Sequence, residues 1–312
     1  MHSPERKPSS DTHAVQITQL TNRLRVEING QLFTEYFFKD VPRPYCYPLI
    51  GPDSVAMTRD YPMKSPPNED HDHVHHRSLW FAHGMVNGHD FWTEQKNFGK
   101  TVHESFEEIK SDNDFGVIKS RNRWVANDGS VICTDDRTLR IYKPRTDKER
   151  IFDFEITLHA SNGELTFGDT KEGTMAVRVA ETMKLKREGD HGHIVNSAGL
   201  RDNETWGKRA DWCDYYGPIG GSIYGIAIFD HPKNPRHPTW WHVRDYGLFA
   251  ANPFGQHDFE SLPDKAAGNL TVKSGESITF RYRFYLHPGD TQTAKVAKEY
   301  EVYAARENTK SR

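Results

Sequence analysis

The sequence predicts an all-β protein, a large two-sheet antiparallel β-sandwich with a short C-terminal helix. Three observations carry that expectation. About ten segments alternate apolar and polar residues with period two, as half-buried strands do. Turn dipeptides and proline-rich stretches punctuate them. A single segment, near the end, repeats its apolar residues at helical spacing. Runs of strands without interleaved helices favour a sandwich over α/β layers.

Residues 1–12, polar and rich in Pro and Ser, read as a disordered tail. AVQITQL (14–20), LRVEING (24–30) and QLFTEYFF (31–38) read as a strand and a hairpin turning at Asn29-Gly30, a strong turn dipeptide. VPRPYCYPLIGPD (41–53) carries too many prolines for a central strand and reads as an irregular edge or loop. RDYPMKSPPNEDHDH (59–73) reads as a surface loop. Strands follow at 101–109, 117–126, 131–142 and 151–160, then at 173–183, 221–230, 242–251, 269–274 and 276–287. In the fourth of these, Phe154, Ile156 and Leu158 alternate with polar positions, and Asn162-Gly163 supplies the next turn. Lengths of nine to twelve residues favour a supersandwich of the galactose-mutarotase type over a small immunoglobulin-like domain. In TQTAKVAKEYEVYAA (291–305), Val296, Ala297, Tyr300, Tyr303 and Ala304 fall on one helical face. With no internal repeat or linker, 13–290 is expected to be one sandwich domain and 291–312 a helix and tail.

Composition narrows the function classes. The 312 residues are 35% apolar, 27% charged and 12% aromatic, so aromatic rings must supply much of the core. A net charge of -3 without a basic tract argues against nucleic acid. No apolar run approaches the roughly 20 residues that cross a bilayer. The first residues lack the apolar stretch of a signal peptide, which suggests the cytoplasm, or the periplasm if a leader has been trimmed. Cys46, Cys133 and Cys213 are odd in number and widely spaced, and read as buried free thiols in a reducing compartment.

Four segments carry chemistry. DHDHVHHRSLWFAHGMVNGHDFW (70–92) packs His71, His73, His75, His76, His83 and His89 beside Arg77, Trp80 and Trp92. Imidazoles titrate near neutral pH and bind metals, while indoles offer a flat face for stacking. The segment therefore fits a sugar site with histidine proton carriers, a metal site built from His71, His73 and His75 with Asp70 or Asp72, or a solvated polar loop. In DTKEGTMAVRVAE (169–181), alternation puts Glu172, Thr174, Ala176 and Arg178 on one strand face and Met175, Val177 and Val179 on the other. Glu172 and Arg178 would stand roughly 20 Å apart and flank a ligand, or else form surface ion pairs. NETWGKRADWCDYYG (203–217) mixes Trp206, Trp212, Tyr215 and Tyr216 with Glu204, Asp211 and Asp214, as a saccharide cleft or an aromatic plug would. FDHPKNPRHPTWWHVRDYGLFAANPFG (229–255) combines His231, His237 and His242 with Arg236, Arg244 and Asp245 on a proline-stiffened loop.

These segments resemble a bacterial family labelled PmoA-like, or "methane oxygenase PmoA", a domain of unknown function. The matching motifs are HHRSLWFAHGMVNGHDFW (75–92), KEGTMAVRVAE (171–181), WCDYYG (212–217) and GIAIFDHPKNPRHPTWWHVRDYGLFAANPFG (225–255). Without membrane helices, the label implies nothing about methane. The resemblance implies a mutarotase-type sandwich with a sugar-processing role, on oxidised or keto-sugar glycosides. It transfers no catalytic residue.

The expected function is thus a carbohydrate-active enzyme using His/carboxylate acid–base chemistry as a hydrolase, lyase or epimerase. His76, His83 or His231 would donate a proton, Glu172 or Asp214 would accept one, and Arg178 or Arg244 would hold developing charge. His75, Trp80, Trp92, Trp206, Trp212, Tyr215, Arg236 and His242 would complete the binding surface. The partner is a small-molecule carbohydrate, with neither nucleic acid nor membrane, and oligomeric state is left open. No cofactor is required, although the histidines leave room for a divalent metal. The alternatives are a His-ligated metalloenzyme or oxygenase, and a non-catalytic sugar-binding module.

Overall fold

The computed structural model describes residues 13–305; the expected tail at 1–12 and the end of the chain at 306–312 lie outside the described residues. In chain order the strands begin β1 (Val15–Gln19), β2 (Arg23–Ile28), β3 (Gln31–Phe37), β4 (Tyr45–Leu49), β5 (Leu79–His83) and β6 (Lys100–Lys110). Next come β7 (Phe115–Val125), β8 (Val131–Tyr142), β9 (Arg150–His159), β10 (Leu165–Phe167), β11 (Gly173–Arg178), β12 (His193–Asn196) and β13 (Arg209–Ala210). The last are β14 (Trp212–Ile219), β15 (Ser222–Asp230), β16 (Thr239–Val243), β17 (Leu248–Asn252), β18 (Leu270–Val272) and β19 (Ser277–Pro288). Helix α1 (Gln256–Glu260) lies between β17 and β18, and α2 (Val296–Ala305) follows β19.

One sheet has nine strands in the order β1-β2-β3-β4-β5-β11-β17-β16-β13, and the other eight in the order β12-β14-β15-β19-β9-β8-β7-β6. Neighbours pair antiparallel, and β10 pairs separately with β18. The main core lies between the sheets. Leu24, Val26, Leu79, Phe81, Met175, Val177 and Phe249 from the first meet Leu139, Ile141, Phe152, Phe154 and Ile156 from the second. This is the expected two-sheet sandwich with a short C-terminal helix. Two smaller clusters cover the outer faces. Tyr45, Tyr47, Trp80, Trp92 and Leu248 lie outside the nine-stranded sheet. Trp212, Phe229 and Tyr285 pack under Val296 and Tyr303 of α2 outside the eight-stranded one.

The structure corrects several element assignments. β4 is an interior strand between β3 and β5, not an edge or loop. Its ladder tolerates Pro48 because the pairing with β3 shifts register there and the pairing with β5 spans only Tyr45 and Cys46. β5, read as part of a histidine loop, is a central strand buried on both faces, so it shows no polar alternation. The strand expected at 242–251 is two strands, β16 and β17, joined by a hairpin turn over 244–247. The segment 203–217 contains β13 and most of β14 rather than one loop. All three cysteines are buried and free. Among the described residues, no helix is long and apolar enough to cross a membrane.

Candidate functional site

The outer face of the nine-stranded sheet carries one continuous row of side chains. Tyr45 pairs across strands with Trp80, Trp80 with Ala176, Ala176 with Ala250, and Ala250 with His242. Directly opposed residues share a face. Two small alanines thus sit at the centre of the row, both fully buried beneath the aromatic side chains that cluster on this face. Thr174, opposite Ala82, belongs to the next row. The alternation read from the sequence is what the strand adopts: Met175, Val177 and Val179 enter the core while Ala176 lies outside.

The loop before β5 folds over one wall. Arg178 donates from Nη1 to His76 Nδ1 at 3.1 Å and from Nη2 to Asp72 Oδ1 at 3.0 Å. Arg59 donates to the same Asp72 oxygen and to the carbonyls of Tyr61, Asp70, Asp72 and His73, which pins the loop. Asp72 also accepts from His73 Nδ1 at 2.9 Å. Burial opposes ionisation of Asp72, but His73, Arg178 and Arg59 together hold its carboxyl well below the usual range. The His76 ring stacks on Trp80 with centroids 5.2 Å apart, and His75 and Trp92 meet it edge-on. Burial first, then neighbouring imidazole and arginine charge, keeps His76 neutral. Burial and Arg43 likewise hold His75 down at about 3. Because arginine only donates, His76 accepts at Nδ1 and carries its proton on Nε2.

The β16–β17 turn and its surroundings extend that wall. Tyr246 stacks on His73 at 5.2 Å, and its ring lies against the guanidinium carbons of Arg178 (4.8 Å) and Arg244 (5.4 Å). Arg244 also lies 5.8 Å from the Trp206 ring centroid, and Trp206 meets His242 edge-on. His242 donates from Nδ1 to Lys171 O at 2.6 Å, and burial holds it down at about 3. Glu172 stands at the rim, half-buried, with Lys171 Nζ 3.7 Å from its carboxylate. Burial raises its carboxyl above the ordinary value, against a smaller lowering by Lys171 and His73. Gly84 permits this placement: a Cβ there would lie 2.8 Å from Glu172 Cβ.

Among the described residues, six buried polar atoms on this sheet face and its rim lack a hydrogen-bond partner: Trp80 Nε1, Trp92 Nε1, Thr174 Oγ1, Arg178 Nε, Trp206 Nε1 and His242 Nε2. Buried polar groups are normally paired, so this group of unpaired atoms on one sheet face is unusual.

The structure thus brings together His73, His75, His76, Trp80, Trp92, Glu172, Arg178, Trp206, His242 and Arg244. Sequence reasoning missed Arg59 and Tyr246 and weighed Asp72 only as a metal ligand. Tyr246 stood inside a segment already singled out; Arg59, alone in a proline-rich stretch, gave no signal. Six expected members lie elsewhere. His83 points into the core, donating to Gly168 O at 2.8 Å between Phe167 and Phe254. Asp214, on the outer face of the other sheet, accepts from His287 Nε2 at 3.1 Å and Thr291 Oγ1 at 2.6 Å. His231 packs edge-on against Tyr303 of α2, and Trp212 joins that same cluster. Tyr215 enters the core and ties Leu185 N and Arg244 O through its hydroxyl. Arg236 clamps the carbonyls of Pro253, Gly268 and Asn269. Of the metal candidates, the rings of His73 and His75 lie 5.7 Å apart, but His71 does not join them. His71 stacks on Tyr61 and pairs with Pro66 O, while His73 is held by Asp72. Among the described residues, no three His, Cys, Asp or Glu side chains are grouped to hold a metal ion.

Residues 23–301 match the family described as "Family of unknown function (DUF6807)". That match replaces the PmoA-like assignment drawn from the motifs. No curated protein matches the chain. Solved structures to which it is similar include heparan sulfate lyase HepC from Pedobacter heparinus, at 8% identity and TM-score 0.36, covering 86% of this chain and 30% of that one. Another is a galactose mutarotase-like protein from Lactobacillus casei, at 9% identity and TM-score 0.40, covering 88% of this chain and 100% of that one.

Proposed function

We propose that this chain, which belongs to the DUF6807 family, binds a saccharide at the outer face of the nine-stranded sheet, beside the rings that cover Ala176 and Ala250, and acts on it by acid–base chemistry. The observation that carries this is the set of unpaired polar atoms interleaved with indole and imidazole rings. A pyranose offers apolar C–H faces for the rings and hydroxyls that both donate and accept. Trp80 and Trp92 supply donors, His242 Nε2 an acceptor, and Thr174 either.

Glu172 is the proton-transfer group. Its carboxyl is half-buried, raised by desolvation, and engaged only by Lys171 at long range. Arg244 opposes negative charge developing on a substrate oxygen. His76, neutral and with Nδ1 engaged, orients the ligand through its Nε2 proton and does not deliver a proton as imidazolium. Hydrolysis by paired carboxyls is disfavoured, because Asp214 sits on the other sheet and Asp72 is consumed by two arginines and His73. One available carboxyl facing cations suits removal of a proton from a carbon next to a carbonyl. Elimination and epimerisation share that step.

The test is turnover of a panel of neutral, oxidised and 3-keto glycosides, with products followed by NMR. Glu172→Gln should lower the rate roughly 10²–10⁴-fold while keeping ligand binding. Unchanged turnover would remove Glu172 from this role, and binding by the wild type without any product would leave a sugar-binding module.

A further inference from the structure

We infer that Arg244 is a carboxylate-binding residue and that the cleft takes a sugar acid, a uronate-bearing saccharide. This deepens the saccharide assignment above and rests on it. The observation is a part-buried arginine flanked by two aromatic rings, with its donors unspent. Its guanidinium lies between the rings of Trp206 and Tyr246, at 5.8 and 5.4 Å. Among the described residues, no hydrogen bond or ion pair engages that guanidinium. The neighbouring arginines are largely committed: Arg59 to Asp72 and four carbonyls, and Arg178 through Nη1 and Nη2 to His76 and Asp72, its Nε alone unpaired. Ring contacts restrict the Arg244 fork without consuming its N–H groups. A fixed fork matches the two oxygens of a carboxylate.

Two unpartnered atoms beside it complete the complement. Trp206 Nε1 is a second donor. His242, 2% exposed, keeps Nε2 as an unused acceptor because its Nδ1 proton is spent on Lys171 O. A uronate supplies both parts: carboxylate oxygens for Arg244 and Trp206, and a ring hydroxyl to donate to His242. A neutral sugar would leave the arginine fork facing a hydroxymethyl group that cannot fill it.

Calorimetric titration tests this with glucuronate- and galacturonate-containing disaccharides beside their glucose and galactose counterparts. The wild type should bind a uronate roughly tenfold to hundredfold more tightly than its neutral counterpart. Arg244→Gln should abolish that preference, uronate affinity falling to that of the neutral counterpart, and Arg244→Lys should retain part of it. Equal binding of both sugars by the wild type, or a preference that survives in Arg244→Gln, overturns the inference and leaves the saccharide cleft standing. Binding of neither kind overturns both. The wild-type comparison needs no variant, so a misfolded Arg244 variant does not rescue the idea.

Discussion

Glu172 and His76 receive opposite proton assignments from one cause, the loss of water around them. Desolvation disfavours whichever form carries charge, so it raises a carboxyl and lowers an imidazole. That contrast is why a cleft crowded with histidines gives its proton-transfer role to a glutamate. If Glu172 acts as base it must be ionised, so kcat/KM should rise with pH through a value above the ordinary 4.5. A pH profile of Glu172→Gln should lack that limb, and a limb of unchanged position in the variant would assign it to another group. Glu172 and Arg178 were legible because both break an apolar alternation on a predicted strand. Tyr246 and Arg59 were not, since nothing in a sequence distinguishes a turn tyrosine or a loop arginine that will meet a partner from afar.

At the scale of one element, β8 hides a charge pair where its alternation would place apolar residues. Asp135 and Arg137 both point between the sheets, fully buried and paired twice at 2.9 Å. Asp135 also accepts from Asn122 Nδ2 at 2.7 Å and Trp124 Nε1 at 2.6 Å. Asp135→Asn leaves Arg137 buried beside a neutral amide. It should cost about 3–5 kcal/mol in urea denaturation, and Asp135→Leu with Arg137→Met, which removes both charges, should still cost about 1–3 kcal/mol for each of the stranded donors Asn122 Nδ2 and Trp124 Nε1. An Asp135→Asn midpoint equal to that of the wild type would mean that water reaches Arg137. The same alternation made the long strands legible and concealed β5. The run 79–82 is apolar on both faces because the inner core covers one side and the Trp92 cluster the other.

Across the whole molecule, the sandwich was legible because the period of a long strand is local, while the cleft assembles residues from four distant stretches, 59–92, 172–178, 206 and 242–246. No short-range pattern records that Ala176 and Ala250 will lie side by side, or that Asp214 and Glu172 will end on opposite sheets. One property of the assembled molecule can be measured without knowing the substrate. Burial holds His75, His83 and His242 at about 3, 4 and 3, and His76 lower than its ordinary value too, against 6.5 for a free imidazole. Between pH 6.5 and about 4, the unfolded chain binds protons that the folded one refuses, so stability rises with pH there and falls on acidification. Each such histidine withdraws up to about 1.4 kcal/mol per pH unit once the unfolded imidazole is charged. Glu172, raised when folded, opposes this loss as pH falls toward its folded value, whereas Asp72, depressed when folded, keeps its contribution down to the ordinary 3.8 and loses it only below that. Unfolding free energies measured in urea from pH 7 to pH 4 should therefore drop steeply. His242→Asn should reduce the slope by about one proton, since its amide does not titrate. A flat profile would mean that these imidazoles are already charged in the native state, and the neutral lining assigned to the cleft would be wrong.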